Sequence, residues 1–353
     1  MPTYMLEGQT AVRLTPKPLT ISLQMTGPVQ GRLIAMMGSE PIADAVRPRP
    51  ELLILPTVTD TVTLRIEPVG ADVFPQGARG NVSVSVNEPG AVDPERAVLP
   101  PLDLAGLSRQ TALSIARGDD GLRVRSEVRE AVRITLNPLG DAARVVATEL
   151  VGRQRLDDDE AIDVVVAVDA SASFRRQVAA GQLRRVVDVV EGIAAVIDPD
   201  RRAEGHVLTA TGYPVTTAPG RTLAAAFAAA FDAVTPETGA ALASGATSPL
   251  RGLAAHPGND APRRLTYVIT DAAPADRSAF ESLGLPGRSV AHLVVIGRGS
   301  AWRLQRGPDV PTTLFDLERI GAAPADPAAA DPLATQLPAL RPLVADLLRG
   351  RPE

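Results

Sequence analysis

The stretch AIDVVVAVDASASF, residues 161–174, decides the fold of the C-terminal half. From Val164 to Val168 it is apolar without alternation. Such a run belongs to a strand buried on both faces, the kind found in parallel sheets covered by helices. It ends on Asp169, and two hydroxyls follow at Ser171 and Ser173. Downstream, RLTYVITD (264–271) and SVAHLVVIG (289–297) repeat the pattern, and TTLFDL (312–317) offers a fourth strand. Between them lie helical stretches. SFRRQVAAGQLRRVVDVVEGIAAVI (173–197) has apolar residues recurring near i, i+3, i+4 and i+7 up to Pro199, and TLAAAFAAAFDAV (222–234), SPLRGLAAH (248–256) and ADRSAFESL (275–283) follow. HVLTAT (206–211) and PVTTA (214–218) read as a short strand pair, and LATQLPALRPLVADLLR (333–349) as a terminal helix tethered loosely by GAAPADPAAADP (321–332). Strands alternating with helices predict a doubly wound, Rossmann-like α/β sheet over about 160–350.

The first ~145 residues read differently, with helix signals nearly absent. Short alternating runs such as VTLRI (62–66) and VSVSV (82–86) are punctuated by Pro and Gly. With AVRL (11–14), LTISLQM (19–25), GRLIAMM (31–37), TALSIA (111–116), LRVRS (122–126) and AVRITL (131–136), they predict a β-sandwich over 1–150. The expected fold class is therefore a multidomain α+β chain.

Composition narrows the function classes. There is no Cys, which excludes disulfides, thiolate metal sites and Cys nucleophiles. With three His, a metal site is expected to be oxygen-liganded and to suit a hard cation. Residues 1–150 carry 15 basic and 17 acidic side chains, the remainder 21 and 24. Neither half is a basic surface, so no nucleic-acid partner and no anionic membrane is expected. The opening MPTYMLEGQTAVRL lacks a basic-then-apolar leader pattern, and no stretch reaches about 18 uninterrupted apolar residues. These features lead to the expectation of a cytoplasmic protein.

In open α/β sheets ligands sit at the carboxyl ends of strands, where the strand order reverses. Asp169 and Asp271 end two of the apolar strands, Ser171 and Ser173 leave the first, and Thr247 opens a helix between them. Together they make an all-oxygen donor set with few charges and an open position, which suits Mg²⁺, or Mn²⁺ or Ca²⁺. An acidic residue of a protein partner would complete it.

VVVAVDASASF (164–174) resembles the Asp-x-Ser-x-Ser loop of von Willebrand factor type A (vWA) domains. ATSPL (246–250) resembles their threonine segment, and VITDAAP (268–274) their Thr-Asp-Gly strand end. The resemblance implies Asp169, Ser171, Ser173, Thr247 and Asp271 as metal ligands, some through water. It also implies a metal-ion-dependent adhesion site that recruits a partner's carboxylate. Ala172, Ala246 and Ala272 each stand where that family commonly has Gly. In the first half, GQTAVRL…LTISLQM (8–25) and LSIARGDDGLRVRS (113–126) resemble TerD-type tellurium-resistance domains. Those are β-sandwiches that bind Ca²⁺ through an Asp-rich loop, whereas GRLIAMMGSEP (31–41) has no paired Asp in the corresponding region.

Three functions stay open on the sequence. One is a non-enzymatic, cation-dependent interaction module in a bacterial tellurite or stress response, with no catalytic residues. Another is a Mg²⁺-dependent hydrolase or phosphotransferase using Asp169 as nucleophile. Against it, Lys17 is the only lysine, and neither a P-loop nor Gly-x-Ser-x-Gly occurs. A metal-free scaffold is the third, with Asp169 and Asp271 accepting hydrogen bonds at helix N-termini. Asp157-Asp158-Asp159-Glu160 is expected to be a solvated linker face, and His206, His256, His292 and Trp302 to be structural.

Overall fold

The computed structural model describes residues 2–6, 11–87, 90, 94–128, 136–198, 200–209, 213–217, 221–233, 250, 253, 263–272, 277–284, 288–297, 311–316, 320–321, 323–324 and 331–352. The chain is of mixed α/β content and divides into two compact units, Met1–Glu130 and Ala131–Glu353.

The first unit holds thirteen described strands. In chain order they are β1 (Thr3–Met5), β2 (Ala11–Leu14), β3 (Leu19–Thr26), β4 (Gly31–Met37), β5 (Glu40–Pro41), β6 (Val46–Arg49) and β7 (Leu52–Leu55). They continue with β8 (Val62–Pro68), β9 (Arg79–Val86), β10 (Arg96–Val98), β11 (Leu102–Asp103), β12 (Gln110–Gly118) and β13 (Gly121–Ser126). One sheet runs β1-β10-β9-β3-β7-β6 with β11 also on β9, and the other runs β2-β13-β12-β8-β4-β5. Alternation sets which faces meet. Val62, Leu64 and Ile66 of β8 are buried while Thr63, Arg65 and Glu67 are half-buried. Val82, Val84 and Val86 of β9 join Leu19, Ile21 and Leu23 of β3 in the same cluster as Leu33, Leu64 and Ile115 from the other sheet. Two sheets therefore share one apolar core, the arrangement of a sandwich.

The second unit opens with a helix where the sequence reading placed the end of the β-region. Helix α1 (Pro138–Val151) is capped by Asn137, carries Pro at its start, and ends at Gly152 in the left-handed conformation. The boundary thus falls at 130/131, and the expected strand 131–136 lies largely outside the described residues.

The remaining elements are β14 (Asp163–Asp169), α2 (Arg175–Ala179), α3 (Gln182–Ile197), β15 (Glu204–Leu208), β16 (Tyr213–Val215) and α4 (Leu223–Ala233). After these come β17 (Arg264–Thr270), α5 (Arg277–Glu281), β18 (Ser289–Gly297), β19 (Thr312–Asp316), a 3₁₀ turn (Pro332–Thr335) and α6 (Leu337–Leu347). The expected single helix over 173–197 is two. Gly181 breaks it at φ 72°, a conformation that glycine adopts without a Cβ clash.

The sheet order is β16-β15-β14-β17-β18-β19, parallel except for β16. The chain starts in the middle at β14, winds out to β16, then returns to β17 on the other flank. That is a doubly wound sheet, and its order reverses between β14 and β17. Val164, Val166 and Val168 pack with α1, α3, α4 and α6. Ala167 and Val268 pack with Ala279 and Phe280 of α5. Both faces are covered, which explains why β14 reads as an unbroken apolar run.

Helices α1 and α3 touch backbone to backbone. A Cβ at Gly192 would lie 2.2 Å from Gly140 O and 2.8 Å from Ala143 Cβ. Gly192→Ala is therefore expected to cost about 1–3 kcal/mol through overpacking. A lowered urea midpoint checks this, and an unshifted one would mean the two helices part freely.

Two expectations are corrected. The acidic run 157–160 is a solvated face only in part: Asp159 is exposed, but Asp157 is buried, with Arg153 Nη1 3.6 Å from it, and Arg153 also pairs with Glu160. The terminal helix is not loosely tethered. Leu340, Leu343, Val344 and Leu347 enter the main core, and Tyr267 donates its hydroxyl to Leu347 O at 2.9 Å.

Candidate functional site

β14 and β17 lie side by side in register, Val168 opposite Ile269, so their carboxyl ends deliver Asp169 and Thr270-Asp271 to the same edge. The loop after β14 then turns sharply. Asp169 Oδ1 accepts the Ser171 N–H at 2.7 Å, a short-range turn that aspartate side chains form readily. The turn brings Ser171 Oγ to 3.1 Å from Asp169 Oδ2, to which it donates. Ser173 Oγ lies 3.2 Å from Ser171 Oγ and donates to Asp271 Oδ1 at 3.1 Å. Phe174, fully buried, ends the loop by inserting into the core, and its N–H donates to Ser171 Oγ at 3.4 Å.

Four of the five sequence-derived residues are thus brought together: Asp169, Ser171, Ser173 and Asp271. Thr247 lies outside the described residues, as do His256 and Trp302. One further residue belongs to the cluster. Thr270, wholly buried, donates its hydroxyl to Asp169 Oδ2 at 2.8 Å and accepts the Ala272 N–H at 3.1 Å. It ties the two strand ends together. Its position directly before Asp271, at the end of an apolar strand, was the available signal for it.

The electrostatics are those of two carboxylates joined by hydroxyls. Burial pushes the Asp169 carboxyl above its ordinary range. The Ser171 N–H and the Thr270 and Ser171 hydroxyls pull it back, and the charge of Asp271 pushes it up again. Among the described residues no group of three or more His, Asp or Glu is placed to hold a metal. The donor set here is instead two carboxylates plus hydroxyls, all oxygen, at the mouth of a sheet. That chemistry fits a hard divalent cation, which would offset the repulsion between Asp169 and Asp271. The described histidines sit elsewhere. His292 is buried on β18 with Nε2 2.8 Å from Thr313 Oγ1, and burial pushes it down to about 4. His206 is buried on β15 with Nε2 3.0 Å from Glu204 Oε1. Among the described residues no helix is long and apolar enough to cross a membrane.

No family model matches this chain, and no curated protein matches it. Among solved structures, a point mutant of the PilB minor pilin from Streptococcus sanguinis is similar at 9% identity over 70% of this chain, with a TM-score of 0.24. The chain spans 57% of that pilin's length, and the TM-score is too low to assign a fold.

Proposed function

We propose that residues 160–350 form a vWA-like domain that binds a divalent cation and, through it, an acidic residue of a protein partner. The observation that carries this reading is the hydroxyl–carboxylate chain Thr270–Asp169–Ser171–Ser173–Asp271 at the carboxyl ends of two central parallel strands. Asp169, Ser171, Ser173 and Asp271 would hold Mg²⁺, Mn²⁺ or Ca²⁺, with Thr247 as a further ligand. The bound ion would supply Lewis acidity and positive charge toward a partner carboxylate. The protein's own part is to hold the two carboxylates in place through Thr270 and to fix the loop through Phe174.

A non-enzymatic role is favoured over a hydrolase or phosphotransferase. Asp169 is buried and its oxygens already accept three hydrogen bonds, which leaves a poor nucleophile. The first unit is read as a TerD-like β-sandwich without the paired aspartates of a calcium loop, and the whole as a cytoplasmic bacterial stress or tellurite-response protein.

Titration calorimetry tests the site. Mg²⁺, Mn²⁺ or Ca²⁺ is expected to give saturable heat with the wild type, and Asp169→Ala to abolish it. Equal heats from both proteins would sink the proposal. Phosphatase or ATPase turnover that Asp169→Ala removes would favour the enzyme instead.

A further inference from the structure

The two sheets of the first unit turn different chemistry outward. Along β3 and β9 the residues that alternate with the core are uncharged, apart from Arg79 at the start of β9. On the other sheet, Leu14, Leu122 and Val124 point into the core. The alternate positions of β2 and β13 therefore face outward, and they hold Arg13, Arg123 and Arg125.

Register fixes how these arginines are grouped. Arg13 stands directly opposite Arg123, and Arg125 follows two residues along β13. On the next strand, β12, Ala116 lies opposite Arg123 and Ser114 opposite Arg125, while Ala11 flanks Arg125 on β2. The guanidiniums thus rise from a floor of small side chains. Across β12, Arg65 of β8 stands opposite Thr111. Its Nε is buried with no hydrogen-bond partner among the described residues.

The fold draws little from this grouping. Like charges directly opposite each other destabilise a sheet. Arg13 Nη1 lies 3.0 Å from Asp120 Oδ2, but these side chains are 65% and 70% exposed, and so exposed a pair holds weakly. Arg123 is exposed and has no ion pair among the described residues. The nearby acids are engaged: Glu127 accepts from Ser114, and Glu67 from Arg32. Composition does not force the cluster either, since residues 1–150 carry 15 basic side chains against 17 acidic ones.

The spacing names the partner. Arg123 and Arg125 are about 6.5 Å apart along their strand, the repeat of alternate side chains in any extended chain. Carboxylates at every second position of an extended segment would meet them in step, and guanidinium binds carboxylate through a two-point fork. We propose that the outward face of β2, β13 and β12 docks an extended acidic segment of a protein partner, its alternate carboxylates seated on Arg123 and Arg125 with Arg13 and Arg65 at the flanks. A nucleic acid suits the face less well. A duplex carries a charge about every 1.7 Å of its axis, so its phosphates would run on over acids. Asp119 and Asp120 close the patch at the β12–β13 turn, and Glu127 closes it at the other end. This surface does not depend on cation binding at Asp169.

Fluorescence anisotropy on the full chain tests the proposal, with a labelled Glu-Thr-Glu-Thr-Glu peptide as probe. The peptide is expected to bind at low salt and to weaken about tenfold or more between about 20 and 200 mM NaCl. Arg123→Glu should weaken it about tenfold. Arg123→Lys, which keeps the charge, should lose far less, and Arg96→Gln on the other sheet should bind as the wild type does. Arg123 is exposed, so these changes leave the core intact. No binding at low salt, equal binding of Gln-Thr-Gln-Thr-Gln, or wild-type affinity in Arg123→Glu would each overturn the proposal. Tighter binding of a single-stranded oligonucleotide of the same charge would overturn it in favour of nucleic acid. Self-association that Arg123→Glu abolishes would overturn it in favour of a second copy of the chain.

Discussion

Arg185→Leu is expected to lower the unfolding free energy of the second unit by about 3–5 kcal/mol, the usual cost of removing one member of a buried, hydrogen-bonded ion pair. Arg185 is 2% exposed on α3. Its Nε and Nη2 donate to the two oxygens of Asp331 at 2.7 and 2.8 Å, and its Nη1 donates to Gly321 O at 2.7 Å. Without the guanidinium, Asp331 is left as a largely buried carboxylate with no countercharge in that fork. Asp331 Oδ1 also accepts the Leu333 N–H at 2.9 Å and starts the turn that leads into α6. The damage should therefore concentrate at the C-terminal helix. Urea unfolding of Arg185→Leu, Asp331→Asn and the double variant gives the coupling directly. A coupling near zero would show that the fork contributes nothing.

Phe174→Ala is expected to cost a similar amount, about 3–5 kcal/mol for a large aromatic removed from a packed core. Its second effect separates it from an ordinary core truncation. Phe174 directly follows Ser173 and anchors the loop that carries both serine hydroxyls. Thermal unfolding with and without Mg²⁺ reads both effects. The variant should melt earlier and lose the rise in Tm that the proposed cation site is expected to give the wild type, whereas Phe174→Leu, which refills most of the volume, should regain much of each. A Phe174→Ala protein that still gains the wild-type increment from the cation would show that the loop holds its shape without this anchor.

Much of this architecture is legible in the sequence because burial leaves a period. Val62-Thr-Leu-Arg-Ile66 alternates and forms a strand with one face inward; Val164–Val168 does not alternate and forms a strand covered on both faces. The joint between the units is not legible in the same way. Residues 138–151 follow a long series of strand-like segments, and the Asn137-Pro138 start signal and the Gly152 stop are single-residue cues that periodicity overlooks. Short edge strands such as β5 and β6 leave no pattern, since their residues are exposed. The same logic divides the site. Asp169, Ser171, Ser173 and Asp271 could be found because carboxylates and hydroxyls at strand ends are conspicuous against apolar runs. Thr270 gives a weaker signal, because a threonine inside a strand looks like ordinary β-sheet composition. The partnered Asp157 is hidden for the opposite reason: nothing local in a run of acids tells which of them an arginine folds back upon.

The Ser173–Asp271 hydrogen bond joins residues 98 positions apart, and the Thr270–Asp169 bond joins residues 101 apart. Neither half of the cluster means anything until β14 and β17 have zipped together across that interval. Closing so long a loop is slow relative to forming helices such as α3, and its entropy is recovered only when the ladder completes. A chain that has made α3 but not yet threaded β17 beside β14 presents one aspartate and two loose serines. Any ligand that requires both carboxylates is therefore blind to such a chain, and its binding reports that the central strands have found each other.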